Sequence, residues 1–106
     1  MKKEEKGISH EIYDLAKKLN DLYKIAYFQI EPMASYIINK KVRNTRMIEN
    51  TLDKILNIPT DEAYELFVSL CKYYSNLDPD GAKFYLDSWD EMYGEDKPKV
   101  KKKDHK

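Results

Sequence analysis

The chain is poor in the residues that most often announce a chemistry. It has one cysteine, two histidines and three glycines in 106 residues, and no net formal charge. A single cysteine excludes an intrachain disulfide framework and suits a reducing compartment. With so few glycines there is no Gly-x-Gly-x-x-Gly, no phosphate-binding loop and little material for tight β-hairpins, and neither Cys-x-x-Cys nor His-Glu-x-x-His occurs. The N-terminus is rich in Lys and Glu without an apolar leader core. No apolar run approaches the roughly 18 residues of a membrane span. A cytoplasmic protein with no membrane contact is therefore expected.

Catalysis fares badly on the same inventory. His10 sits near the chain start and His105 in a lysine-rich tail, so neither is placed for the packed orientation that general-base work requires. Cys71 lies mid-stripe in the most apolar segment, where a thiol is a core group and burial raises its pKa. Asp87, Asp90 and Glu91 share a helix face and could present carboxylates to a divalent cation. One exposed face supplies too few converging oxygens, and acidic residues are the ordinary solvent side of an amphipathic helix. Asp78-Pro79-Asp80-Gly81 echoes a calcium loop but lacks its further ligands, and helix capping accounts for it. No enzyme, cofactor or metal is expected.

What the chain does have is helical periodicity. Apolar residues make up 42% of it against 36% charged, enough for one core at a common single-domain length. From Ser9, a plausible N-cap, Ile12, Leu15, Ala16, Leu19, Leu22, Tyr23 and Ala26 recur in steps of three and four, continuing as Ile30, Met33 and Ile37. Pro32 interrupts this stripe. Its missing N–H and ring clash predict either one helix bent at this point or two consecutive ones; because proline suits a first helical position, a first helix over roughly 9–30 and a second from Pro32 to about Lys41 is the preferred reading. Asn44 or Thr45 opens a short helix burying Ile48, Leu52 and Ile55, with Asn57 as a left-handed C-cap and Pro59 beyond it.

Thr60 caps the next helix, whose face of Ala63, Leu66, Phe67, Leu70, Cys71 and Tyr74 is widened by Tyr64, Val68 and Tyr73. A helix apolar over most of its circumference belongs at the centre. Asp78 then caps a last helix with Pro79 at its first position, an apolar side of Ala82, Tyr85, Leu86, Trp89 and Tyr93, and Gly94 at its end. The expected fold is all-α: a single small domain, a helical bundle of four or five helices with a C-terminal helix hairpin. Residues 1–8 are expected to be a disordered N-terminus, 9–94 the helical domain and 95–106 a disordered tail. From residue 97 onward the lysines, Lys97, Lys99, Lys101, Lys102, Lys103 and Lys106, face only Asp104, and they leave residues 1–96 acidic.

Two surfaces stand out. Tyr27, Phe28 and Phe84 fall off the main stripes, as aromatics of a contact patch for another protein or a second copy would. Lys40, Lys41, Arg43 and Arg46 form a basic corner with no acid between Pro32 and Ile48. Helix-dipole compensation explains Lys40 and Lys41. Arg43 and Arg46, helped by the lysine tail, could instead meet nucleic acid. The expected function is a noncatalytic protein-interaction or regulatory module, able to self-associate. Nucleic-acid binding through the basic corner is the alternative.

Two resemblances bear on this. The stretch from Glu62 to Phe67 through Leu77-Asp78-Pro79-Asp80-Gly81-Ala82 resembles the junction between tetratricopeptide repeats, where Asp-Pro starts the next helix. No second copy is present, and an array needs about three, so the likeness is one of helix-hairpin chemistry. Tyr36-Ile37-Ile38, Ile48-Glu49, Leu52-Asp53, Leu70-Cys71-Lys72-Tyr73-Tyr74 and Asp78-Pro79 together resemble small uncharacterised helical proteins of Gram-positive mobile genetic elements. That resemblance implies a bacterial cytoplasmic protein and brings no activity or site residues with it.

Overall fold

In the computed structural model the backbone is described for residues 2–94 and the side chains for residues 10–94; the expectations for the lysine tail and His105 fall outside these. The described chain is all-helical, in four helices: α1 (Lys2–Asn39), α2 (Thr45–Leu56), α3 (Asp61–Tyr74) and α4 (Pro79–Tyr93).

The first departure from the sequence expectation is α1. It runs unbroken for 38 residues through Pro32, where two helices were expected, and it starts at Lys2 rather than Ser9. Proline at this point removes only the hydrogen bond to the Phe28 carbonyl. Phe28 and Pro32 both lie on the exposed side, where water can serve that carbonyl. On either side of Pro32 the buried stripe is Ile30, Ala34 and Ile37, and Met33 turns outward.

α1 ends in a Schellman turn. The amide of Val42 donates to the Ile37 carbonyl (3.0 Å) and that of Lys41 to the Ile38 carbonyl (3.3 Å), with Lys41 in the left-handed region at φ 55°. Glycine normally holds this position because an L side chain costs about 1–2 kcal/mol there. The cap expected to be left-handed, Asn57, instead has φ −87° and closes α2 by donating its amide to the Lys54 carbonyl. Lys41→Gly should accordingly stabilise the fold by up to about 1 kcal/mol. A urea midpoint that fails to rise would show that the lysine side chain contributes something the turn needs.

The N-caps follow the sequence. Asn44 accepts from the Met47 amide (3.1 Å), Thr60 from Ala63 (3.2 Å) and Asp78 from Gly81 (3.0 Å). Each side chain satisfies one of the amides that a helix start leaves unpaired.

α3 is central, packing against α1, α2 and α4. Ala63, Phe67, Leu70, Cys71 and Tyr74 are buried on it, facing Ile48, Leu52 and Ile55 of α2, Ile30, Ala34 and Ile37 of α1, and Ala82, Tyr85 and Trp89 of α4. α4 doubles back along α3. Tyr64 and Phe67 meet Trp89 at ring-centroid distances of 5.2 and 4.9 Å, and Phe67 meets Tyr85 at 6.4 Å.

Tyrosine hydroxyls then tie the helices together. Tyr73 donates to the Val42 carbonyl (2.6 Å), Tyr93 to the Leu56 carbonyl (2.7 Å), Tyr85 to the Asp53 carboxylate (2.9 Å) and Tyr74 to Glu49. Gly81 lets the Tyr74 ring lie against the first turn of α4: a Cβ there would come within 2.9 Å of that ring and 2.8 Å of the Asp78 carboxylate.

Candidate protein-interaction surface

The stripe that builds the core at one end of α1 runs out uncovered at the other. Ile30, Ala34 and Ile37 are 8, 0 and 0% exposed; nearer the start of the helix, Ile12, Leu15, Leu19 and Leu22 are 60, 67, 48 and 60% exposed. Length is the cause. At about 1.5 Å per residue α1 is roughly 57 Å long, whereas helices of 12 to 15 residues span only about 18–23 Å. α2 and α3 cover one half of α1 and cannot reach the other.

The uncovered spacing is regular. Ile12, Leu15, Leu19, Leu22 and Ala26 advance by three, four, three and four residues, the alternation of a two-helix seam. Ala16 and Tyr23 flank one side, Lys18 and Ile25 the other. Where the stripe enters the body, Leu19, Leu22, Tyr23, Ala26 and Ile30 of α1 face Lys54, Asn57 and Ile58 across an open groove of about 490 Å³. Tyr23 forms the ridge between this groove and a second hollow bounded by Tyr27, Phe28, Thr60 and Glu62.

The aromatic trio is divided by the fold. Phe28 is 70% exposed and stacks edge-on against Tyr27 (5.9 Å) beside the N-terminus of α3. Burial, reinforced by the charges of Glu31, Glu62 and Glu65, raises the Tyr27 pKa. Phe84 is also exposed, but it stands in the second turn of α4 against Tyr85 (5.3 Å). Tyr27 and Phe28 thus adjoin the α1 stripe, and Phe84 belongs to another face.

Lys40, Lys41, Arg43 and Arg46 cluster at the α1–α2 corner and are all exposed. Among the described residues none of them makes an ion pair, and α2 has no acidic residue in its first turn. Of the residues weighed for chemistry, Cys71 is buried and its thiol is pushed up to about 12 by that burial. His10 lies exposed on α1 with Nε2 at 3.7 Å from Asp14. Asp87 takes the Lys83 ammonium at 2.9 Å, and among the described residues no group of three or more His, Cys, Asp or Glu side chains could hold a metal ion. No described helix is long and apolar enough to cross a membrane.

Leu15, Leu19 and Leu22 were legible in the sequence as a helix face and not as a surface. The available signal was length: the stripe begins some 15 residues before the part of α1 that helices as short as α2 and α3 can cover. No protein-family model matches the chain, and no curated protein and no solved structure matches it.

Proposed function

We propose that this protein is a noncatalytic interaction module. A small helical bundle closed by the α3–α4 hairpin acts as its anchor, and the bare apolar face of α1 is its working surface. One observation carries this: the stripe that is core from Ile30 to Ile37 continues over Leu22, Leu19, Leu15 and Ile12, each of which leaves about half or more of its surface exposed. A contiguous line of large apolar side chains on a soluble surface is costly to leave in water, and such patches mark places where another surface docks. The Tyr27–Phe28 pair extends the contact area beside the seam. On the resemblance over residues 33–93, its setting would be the bacterial cytoplasm and its origin a mobile element.

Replacing Leu15 and Leu19 together by Asp puts charges on the seam outside the core. It should abolish association while leaving the body's stability within about 0.5 kcal/mol, as for other surface changes. Association, with itself or with proteins of a bacterial lysate, that is undiminished in the double variant would remove the stripe as the surface. Replacing Tyr27 and Phe28 by Ser should weaken association, and replacing Phe84 by Ser should not.

Nucleic-acid contact at Lys40, Lys41, Arg43 and Arg46 is the alternative, favoured by four exposed cations at one corner that have no ion-pair partner among the described residues. Its signature would be affinity falling steeply with salt through counterion release.

A further inference from the structure

Granting that the α1 stripe is an interaction surface, we infer that its occupant is a second copy of the same stripe, laid antiparallel in a two-stranded coiled coil. The spacing is self-complementary. A symmetric antiparallel pairing centred between Leu15 and Leu19 stacks Ile12 of one copy on Leu22 of the other and Leu15 on Leu19, each layer joining the two alternate positions of the seam.

Charge is neutral to such a pairing. Along residues 10–29, Lys17, Lys18 and Lys24 balance Glu11, Asp14 and Asp21, so two copies meet without net repulsion and a strongly charged partner gains nothing. Area suffices as well. Ile12, Leu15, Leu19, Leu22 and Ile25 each leave about half or more of their surface open, and closing two such faces removes on the order of 1,000 Å² from water, the lower bound of a specific interface.

The direction follows from sterics. From Ile30 onward the seam is filled by α2 and α3 of the same chain, so a parallel partner would run its own α1 and body into that space. An antiparallel partner keeps its own body clear of that space and lays the N-terminal turns of its α1 along the open groove between Leu19 and Ile30. It places its Ile12 against Leu22, at the mouth of the groove bounded by Lys54, Asn57 and Ile58, and sets the two bodies at opposite ends.

The test uses the full chain and two readouts. Sedimentation equilibrium should give twice the 12.6 kDa chain mass, falling to a single chain in the Leu15→Asp/Leu19→Asp double variant. Ile12→Cys and Leu22→Cys variants, mixed and oxidised, should form the mixed disulfide between Ile12→Cys and Leu22→Cys chains in excess over either like-with-like product; buried Cys71 is shielded from exchange. A wild-type chain that stays monomeric, a dimer unaffected by the double variant, or like-with-like disulfides predominating would each overturn the inference. If the chain is monomeric and yet captures a different protein through Leu15 and Leu19, the interaction surface stands and only the second copy is excluded. If the double variant changes neither mass nor capture, the surface itself falls.

Discussion

Phe67→Ala should destabilise the protein by about 3–5 kcal/mol and lower its Tm by at least about 12 °C. Phe67 is fully buried on the central helix and its ring packs between Trp89 at 4.9 Å and Tyr85 at 6.4 Å. Truncation removes the transfer energy of the ring. It also leaves a cavity that α3 cannot collapse, because α1, α2 and α4 all bear on that helix. Total stabilities of small domains are about 5–15 kcal/mol, so the variant would lose a large share of its folded population. Phe84→Ala, one residue from Tyr85 but 63% exposed, should cost under about 1 kcal/mol. Comparable losses for the two, read from chemical denaturation, would mean that the body is not organised around α3.

Alkaline pH should unfold the protein through its tyrosines. The Tyr74 and Tyr85 hydroxyls are donors to Glu49 and Asp53. Burial first, then these hydrogen bonds and the carboxylate charges, raise both pKa values well above the ordinary 10.0. The native state therefore keeps protons that the unfolded chain releases. The stabilisation is complete below pH 10 and is lost as pH rises through the raised native values. Cys71 adds to the fall from about pH 9, its ordinary value, toward its native value of about 12. Denaturation free energy measured at intervals from pH 8 to 11.5 should decline, and decline less steeply in Tyr74→Phe and Tyr85→Phe. At pH 8 each variant should be weaker by about 0.5–1.5 kcal/mol, the net worth of the hydrogen bond lost, since Glu49 and Asp53 reach water and stay hydrated. A flat profile in the wild type would contradict the hydroxyl network.

The helices from Asn44 onward were legible because their signals are local. Asn44, Thr60 and Asp78 each sit where a side-chain oxygen can close on an amide two or three residues ahead. The faces of α2 and α3 repeat often enough to fix which side is buried. What failed at Pro32 was a rule about cost applied without knowledge of what else holds the helix. Ile30, Ala34 and Ile37 pack on the body on both sides of the proline, and the one lost hydrogen bond faces solvent. Lys41 carried no glycine to announce its left-handed turn, and Asn57 only resembled one.

Of the candidate surface, the residues were visible and their exposure was not. Periodicity names a face of α1, while coverage depends on where α2 and α3 dock along it, a long-range fact absent from local pattern. For the same reason Tyr27 and Phe28 could not be separated from Phe84 until α4 was placed.

Amide hydrogen exchange across α1, followed as protein concentration is raised from nanomolar to high micromolar, tests the central claim most directly. If the bare stripe is a docking face for its own kind, exchange in residues 12–22 slows with concentration while α2 and α3 hold the same protection throughout. Exchange in that stretch that is fast and independent of concentration would mean that nothing the protein makes of itself covers the stripe.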